Sequence, residues 1–156
     1  MTTLRAEEPL PAGKLDPKHY RSIHRHLFQD VYAWAGRYRT VRSGKGENWF
    51  CYPEHIAASM DRLFATLTTG AILHAETFEE FIALAVPFLA ELNAIHAFRE
   101  GNGRTQLAFM HILAERAGHP INLAYIDPQP FEQAMIRSFA DDYQPLIQQF
   151  RRLNAH

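Results

Sequence analysis

The sequence predicts an all-α fold, a compact bundle of about six helices with one short β-hairpin. Apolar residues recur at helical spacing through most of the chain. Prolines and capping residues stand where these stripes begin, and glycines stand where several of them end. One stretch, residues 37–50, loses the helical period and carries β-branched and aromatic residues around a glycine-rich turn.

The chain length of 156 residues predicts one domain with one active site. Hydrophobic residues make up 47% and charged residues 21%, a balance typical of a globular protein with a real core. The proline-bearing residues 1–14 are expected to form an extended lead-in, and residues 15–156 to form the single domain.

The first helix begins at Asp16 and Pro17, which supply a cap acceptor and a preset first turn. It is predicted to continue toward Gly36 with an apolar face made of Ile23, Leu27 and Val31. The hairpin follows, and Gly44-Lys45-Gly46 supplies its turn because glycine tolerates positive φ.

Prolines, glycines and one capping box delimit the next two helices. Pro53 begins the second helix, Gly70 ends it, and its apolar face is Ile56, Met60, Leu63 and Leu67. Thr77 and Glu80 form a capping box at the start of a long third helix. Pro87 is expected to kink that helix, because it removes an interior hydrogen-bond donor.

Three more helices complete the predicted bundle. The fourth follows a turn at residues 96–101 and ends at Gly118. The fifth begins at Pro128 or Pro130, and the sixth begins at Pro145.

Composition excludes several classes of partner. The 16 Lys and Arg against 17 Asp and Glu give a net charge of -1, so no direct nucleic-acid partner is expected. Cys51 is the only cysteine, which rules out an internal disulfide and suits the cytoplasm. No stretch reaches the roughly 20 apolar residues of a membrane span, so no membrane partner is expected either.

The segment His96–Arg104 reads His-Ala-Phe-Arg-Glu-Gly-Asn-Gly-Arg and lies between the third and fourth helices. A helix N-terminus offers unpaired N–H groups and a positive dipole end, which together hold anions. Gly101 and Gly103 let the backbone turn tightly and approach a phosphate. The nearby imidazole, carboxylate and guanidinium suit phosphate transfer with Mg²⁺. Phe98 is explained as an apolar anchor of this turn.

This segment resembles the motif of the Fic family, His-any-Phe-any-(Asp or Glu)-Gly-Asn-Gly-Arg. Every specified position matches, and a chance match is on the order of one in a million at average residue frequencies. The resemblance extends beyond the motif. It includes Leu92–Ile95, directly before the motif, and the earlier segment Phe28–Gly36 together with the hairpin that follows that segment. The resemblance therefore spans residues 15–150 or so.

The resemblance implies a protein adenylyltransferase with a Fic fold, which transfers AMP from ATP to a Ser, Thr or Tyr hydroxyl of a target protein and releases pyrophosphate. It makes His96 the general base and Glu100 the ligand of Mg²⁺, with ATP as co-substrate. The residues it places at the nucleotide are Phe98, Gly101, Asn102, Gly103 and Arg104.

The resemblance also makes the hairpin a flap that pairs edge to edge with an extended segment of the target protein. An exposed hairpin edge has the unpaired backbone groups that such strand addition needs. A toxin or effector of this kind is expected in the cytoplasm, or in a host cell after translocation. The target-docking residues are Ser43, Gly44, Lys45, Gly46, Glu47 and Asn48.

One departure from the family leaves alternatives open. Leu107 stands where active members usually carry a second Arg that contacts the γ-phosphate or an inhibitory Glu. No segment fits the family's inhibitory helix, so inhibition would come from a separate antitoxin-like partner. The chain is alternatively a transferase of UMP, phosphocholine or a phosphoryl group, although related kinases have Lys at the position of Gly103. A catalytically impaired nucleotide-binding module is the other alternative.

Several aromatic and histidine residues are predicted to have no part in chemistry. His19, His24 and His26 do not share one helical face at i, i+4 spacing, so a solvated basic face is expected there and not a metal site. Trp34 and Trp49 are expected to be packing residues, with a place near the nucleotide as the alternative for Trp49.

Overall fold

A computed structural model describes residues 8–46 and 48–154 of the chain. These residues form a helical bundle with one antiparallel hairpin, as the sequence predicts. The hairpin consists of β1 (Gly44–Lys45) and β2 (Asn48–Trp49). The α-helices are α1 (Pro17–Phe28), α2 (Ile56–Ala65), α3 (Phe78–Ile95), α4 (Asn102–Arg116), α5 (Pro128–Ser138) and α6 (Gln144–Leu153).

Helices α3 and α4 form the centre of the bundle. α3 packs against α2, α4, α5 and α6, while α4 packs against α1 and α3. The fully buried ring of Phe109 on α4 joins these layers, because its centroid lies 5.6 Å from that of Tyr20, 5.3 Å from that of Phe64 and 6.0 Å from that of Phe88. One aromatic side chain thus contacts α1, α2 and α3 together.

Side-chain caps explain where two helices begin. The Asp16 carboxylate accepts a hydrogen bond from the His19 N–H at 2.8 Å, and Pro17 occupies the first turn of α1. Thr77 caps α3 by accepting the Glu80 N–H at 3.1 Å. The Glu80 carboxylate in return accepts the N–H of Glu76, one residue before the cap. Both predicted starts are confirmed.

The ends of several elements differ from the prediction. The first helix ends at Phe28, and Val31 is 45% exposed on a turn, so the predicted continuation to Gly36 is wrong. Phe64, not Leu63, completes the buried face of α2. Gly44 and Lys45 belong to a strand, which leaves Gly46, with φ of +63°, in the turn.

The remaining helix signals agree with the structure. Pro53 begins a 3-10 helix, Pro53–His55, that leads into α2, and a second 3-10 helix, Thr66–Thr69, continues from α2 to Gly70. Gly70 and Gly118 have φ of +81° and +79°, and Gly118 lies two residues after α4. α5 begins at Pro128, and Pro145 lies in the first turn of α6. α3 continues through Pro87 as one helix, and its kink stays a prediction. No helix within the described residues is long and apolar enough to cross a membrane.

Candidate active site

The backbone of His96 ends α3 in an unusual conformation. Its N–H still donates to the Leu92 carbonyl at 3.1 Å, but its φ of +50° and ψ of +63° are left-handed. A residue other than glycine adopts this conformation only at a cost of roughly 1–2 kcal/mol. The surrounding structure therefore must hold His96, and the turn it makes sends the chain toward α4.

The imidazole of His96 lies flat against the ring of Phe50, just after β2. The two ring centroids are 3.7 Å apart and the planes differ by 2°. Nδ1 of His96 is buried and has no hydrogen-bond partner among the described residues. Burial, followed by the positive charges of Arg39 and Lys45, lowers the pKa of His96 to about 4. The ring is therefore neutral at physiological pH and able to accept a proton.

The loop after His96 is closed by the side chain of Asn102. The N–H of Phe98 donates to Oδ1 of Asn102 at 2.9 Å, and Nδ2 of Asn102 donates to the Phe98 carbonyl at 2.6 Å. Asn102 is only 4% exposed. Both ends of its amide are thus used within the protein, so this side chain does not make the nucleotide contact that the resemblance implies for Asn102.

Phe98 anchors this loop to α1. Its buried ring stacks on His24 at 3.8 Å between centroids and on Tyr20 at 5.7 Å. It leaves no exposed surface for a nucleotide, so the structure supports the anchor and not the predicted nucleotide contact. Nδ1 of His24 accepts the Gly36 N–H at 2.9 Å, so Nε2 carries the hydrogen that reaches the Glu100 carbonyl at 2.8 Å.

The prediction of a solvated histidine face on the first helix is wrong for two of its three members. His24 is fully buried, and burial lowers its pKa. His19 is also buried, and its ring nitrogens pair with the Leu15 N–H at 3.2 Å and the Pro11 carbonyl at 2.8 Å. Only His26 of the three is partly exposed. No cluster of metal-ligating side chains occurs in the described part of the chain.

Gly101 and Gly103 are needed for different reasons. Gly101 has φ of +82°, and a Cβ there would lie 2.4 Å from the Phe28 ring. Gly103 lies in the first turn of α4, and a Cβ there would have no heavy atom within 4 Å. Gly101 therefore allows the close packing of the loop on α1, whereas Gly103 leaves backbone open at the helix N-terminus.

A cavity of about 230 Å³ lies between the hairpin, the end of α3, the start of α4 and α5. His96, Gly103 and Leu107 all line it. Lys45 on β1 and Glu132 on α5 also line this cavity and form an ion pair, with 2.9 Å between Nζ and Oε1. Its other lining residues are Phe50, Leu89, Asn93, Gln106, Phe131, Met135, Ile136 and Phe139.

The other predicted site residues lie outside this cavity. Arg104 is exposed, with its guanidinium carbon 6.0 Å from the Phe28 ring centroid. It lines a second, larger cavity of about 1130 Å³, and Leu107 lines that cavity too. Glu100 is exposed and lines neither cavity. The structure thus brings His96, Gly103 and Leu107 together and places Arg104 on the far side of Leu107.

The predicted docking hairpin is exposed and very short. Gly44 pairs with Trp49 and Lys45 with Asn48, while the Ser43 carbonyl accepts the Phe50 N–H at 3.0 Å. Glu47 lies outside the described residues. Trp49 is 66% exposed beneath the guanidinium of Arg42, so its predicted packing role is wrong.

Sequence reasoning missed two residues that support this site. His24 carries the loop contacts described above, and Arg39 is a buried arginine that donates to the carbonyl of His96 at 2.7 Å. Neither belongs to a local pattern, since His24 contacts Glu100, 76 residues away along the chain, and Arg39 contacts His96, 57 residues away. The one available signal for His24 was its position on the apolar side of α1 beside Ile23 and Leu27.

Comparison with known proteins places this geometry in context. Residues 14–114 match the Fic/DOC family. The chain is 53% identical over 150 residues to the probable protein adenylyltransferase y4lH of Sinorhizobium fredii, covering 96% of this chain and 78% of that protein. It is 37% identical over 128 residues to the protein adenylyltransferase VbhT of Bartonella schoenbuchensis, covering 82% of this chain and 27% of VbhT.

A solved structure is similar over almost the whole fold. The crystal structure of BepC, a VirB-translocated effector protein of Bartonella tribocorum with bound AMPPNP, superimposes with a TM-score of 0.84 at 25% identity. The similarity covers 99% of this chain and 80% of that chain.

The two glycines of the loop should respond in opposite ways to alanine. Gly101→Ala should lower the free energy of unfolding by at least about 2 kcal/mol, because a left-handed alanine and a clash with Phe28 combine. Gly103→Ala should leave stability unchanged or raise it by about 0.5–1 kcal/mol, because alanine favours a helix. Urea unfolding measures both, and equal shifts for the two variants would contradict this reading of the loop.

Proposed function

The chain belongs to the Fic/DOC family and is a protein adenylyltransferase, and we propose that this site transfers AMP from ATP to a Ser, Thr or Tyr hydroxyl of its target. The observation that carries the proposal is one cavity lined both by the neutral imidazole of His96 and by the open backbone of Gly103. The first supplies a base, and the second supplies a place for a phosphate.

The start of α4 would hold the phosphates of ATP. The first N–H groups of a helix have no intrahelical acceptor, and the helix dipole places positive charge there. With no side chain at Gly103, a phosphate can approach these groups directly. Asn102 would contribute its backbone N–H, because its side chain is used by Phe98.

His96 would act on the incoming hydroxyl. As the hydroxyl oxygen bonds to the α-phosphorus, its proton passes to an imidazole nitrogen and the bond from phosphorus to pyrophosphate breaks. A pKa of about 4 makes His96 a weak base before ATP binds. The negative charge of bound phosphates raises the pKa of a neighbouring imidazole, so ATP itself would strengthen the base.

Glu100 is the residue that would hold Mg²⁺. It is an exposed carboxylate two residues before the start of α4, and Mg²⁺ commonly uses one or two protein carboxylates together with substrate phosphates. A bound Mg²⁺ would neutralise phosphate charge during transfer.

Arg104 and the second cavity would take the rest of the nucleotide. The His96 cavity, at about 230 Å³, is smaller than the roughly 300–1,000 Å³ of typical ligand pockets. Part of ATP must therefore lie outside it, and the larger cavity continues past Leu107 to Arg104. An arginine there is suited to phosphate oxygens.

The hairpin would register the target beside His96. Its exposed strands offer backbone groups for pairing with an extended segment, and Phe50 at its end touches the His96 ring. Residues Ser43–Asn48 would form that docking edge. We propose a bacterial toxin or effector acting in the cytoplasm or a host cell, controlled by a separate antitoxin-like inhibitor. The similarity to BepC, a translocated effector, supports the effector part of this proposal.

The identity of the transferred group is tested with ATP labelled at the α- or the γ-phosphate. Protein should retain the α label and not the γ label, and a folded His96→Ala protein should lose about 10²- to 10⁴-fold in transfer while still binding ATP. Lys18→Ala, on the exposed side of α1 and lining neither cavity, is a control that keeps normal transfer. Retention of the γ label alone would identify a kinase, and full activity of His96→Ala would remove His96 from the mechanism.

Leu107 decides between an active enzyme and an impaired nucleotide-binding module. Its side chain is half-buried and borders both cavities, so an arginine at this position would reach the nucleotide. Leu107→Arg should tighten ATP binding by about 1.5–3 kcal/mol through a charge-assisted contact and leave ADP binding unchanged. Calorimetry with Leu107→Met as the control measures this difference. If a stable Leu107→Arg protein binds ATP and ADP with the same affinities as the parent protein does, no γ-phosphate contact is missing at this position.

A further inference from the structure

Arg39 occupies the junction between the hairpin and the end of α3. It lies in the irregular segment between α1 and β1 and is only 4% exposed. Nε donates to the His96 carbonyl at 2.7 Å, and Nη2 donates to the Ile95 carbonyl at 3.1 Å. On the hairpin side, Nη1 donates to the Val41 carbonyl at 2.7 Å and Nη2 to the Cys51 carbonyl at 2.5 Å.

This arrangement is unusual for a buried charge. Burial lowers the pKa of Arg39, but an arginine remains protonated in proteins. Among the described residues its hydrogen-bond partners are all backbone carbonyls, not a carboxylate. The charge is therefore compensated only if all these carbonyls keep their places, since a buried donor left unpaired is destabilising.

Two backbone hydrogen bonds run alongside the guanidinium. The N–H of Arg39 donates to the Ala97 carbonyl at 2.9 Å, and the N–H of Cys51 donates to the Ala94 carbonyl at 3.2 Å. The chain on both sides of His96 is thus tied to both arms of the hairpin. These are the contacts that oppose relaxation of the left-handed His96 backbone.

We infer that Arg39 is the positioning residue for His96, holding its backbone and ring in register with the hairpin through one guanidinium. The inference rests on the proposed role of His96 as the base. Through Arg39, the hairpin where the target would dock is connected to His96, which would take the proton. Arg39 itself does not touch the nucleotide in this proposal. A planar fork with five N–H groups can serve several carbonyls at once, whereas the three N–H groups of a lysine cannot reproduce that pattern.

Arg42 offers a matched control three residues along the same segment. It is exposed, and its guanidinium stacks on Tyr52 at 3.7 Å and Trp49 at 4.7 Å. Replacing either arginine with lysine keeps the net charge. Only Arg39→Lys removes the fork that holds His96.

The primary readout is the ring-current shift that Phe50 imposes on the His96 ring protons in NMR spectra. The parent and Arg42→Lys should share an upfield signal, and Arg39→Lys should lose it because the His96 ring leaves the stack. With α-labelled ATP and a bacterial lysate, Arg39→Lys should transfer AMP about 10²-fold more slowly at saturating ATP, the cost of misplacing a catalytic group by about 1 Å. Its binding of ATP should be unchanged, because the α4 turn is not altered.

Each outcome decides the inference. A parent-like ring-current shift in Arg39→Lys would overturn it, as would a rate loss that tracks only the unfolded fraction in a thermal melt. If Arg39→Lys does not fold, the rate of solvent exchange of the Arg39 Nε–H in the parent protein decides. Slow exchange supports the hydrogen bond from Arg39 to the His96 carbonyl as the positioning contact, and rapid exchange overturns it. Full activity of His96→Ala would refute the proposed base, while the ring-current comparison would still report whether Arg39 positions that ring.

Discussion

The site depends on one buried amide, the side chain of Asn102. By pairing with both the N–H and the carbonyl of Phe98, it fixes the six-residue loop that joins α3 to α4. A buried polar side chain is tolerated only when its hydrogen bonds are made. The Asn102 amide therefore requires this loop conformation, and the loop conformation requires the amide. With the loop closed, His96 lies at one end and the first turn of α4 begins at the other, both facing one cavity.

The first helix turns this loop into a rigid part of the core. Phe28 fills the space that a side chain at Gly101 would occupy, and His24 connects the Glu100 carbonyl to Gly36. Arg39 then ties the other end of the loop to the hairpin. The proposed phosphate-binding turn and the proposed base are thus held in place before ATP arrives and would lose little entropy in the reaction, which is how preorganisation accelerates transfer.

Local sequence signals predicted what is locally determined. Asp16, Thr77 and Pro128 mark helix starts because capping and proline geometry act within one turn. The His96–Arg104 motif placed the candidate site between the third and fourth helices, where the structure has a cavity lined by His96 and Gly103. The contacts of His24 with Glu100 and of Arg39 with His96 were not predictable, because these partners are more than fifty residues away along the chain. The inward direction of the Asn102 amide also depends on the folded loop. So does the placement of Gly103 and Arg104 in two different cavities, with Leu107 lining both.

Amide hydrogen exchange in the ligand-free protein tests most directly whether the loop is held before any nucleotide binds. The Phe98 N–H, bonded to Asn102, should exchange as slowly as amides in the middle of α4. The N–H of Gly103, in the unpaired first turn, should exchange fast until ATP is added. Rapid exchange at Phe98 while the middle of α4 stays protected would show that the loop is mobile, and would contradict a preformed site.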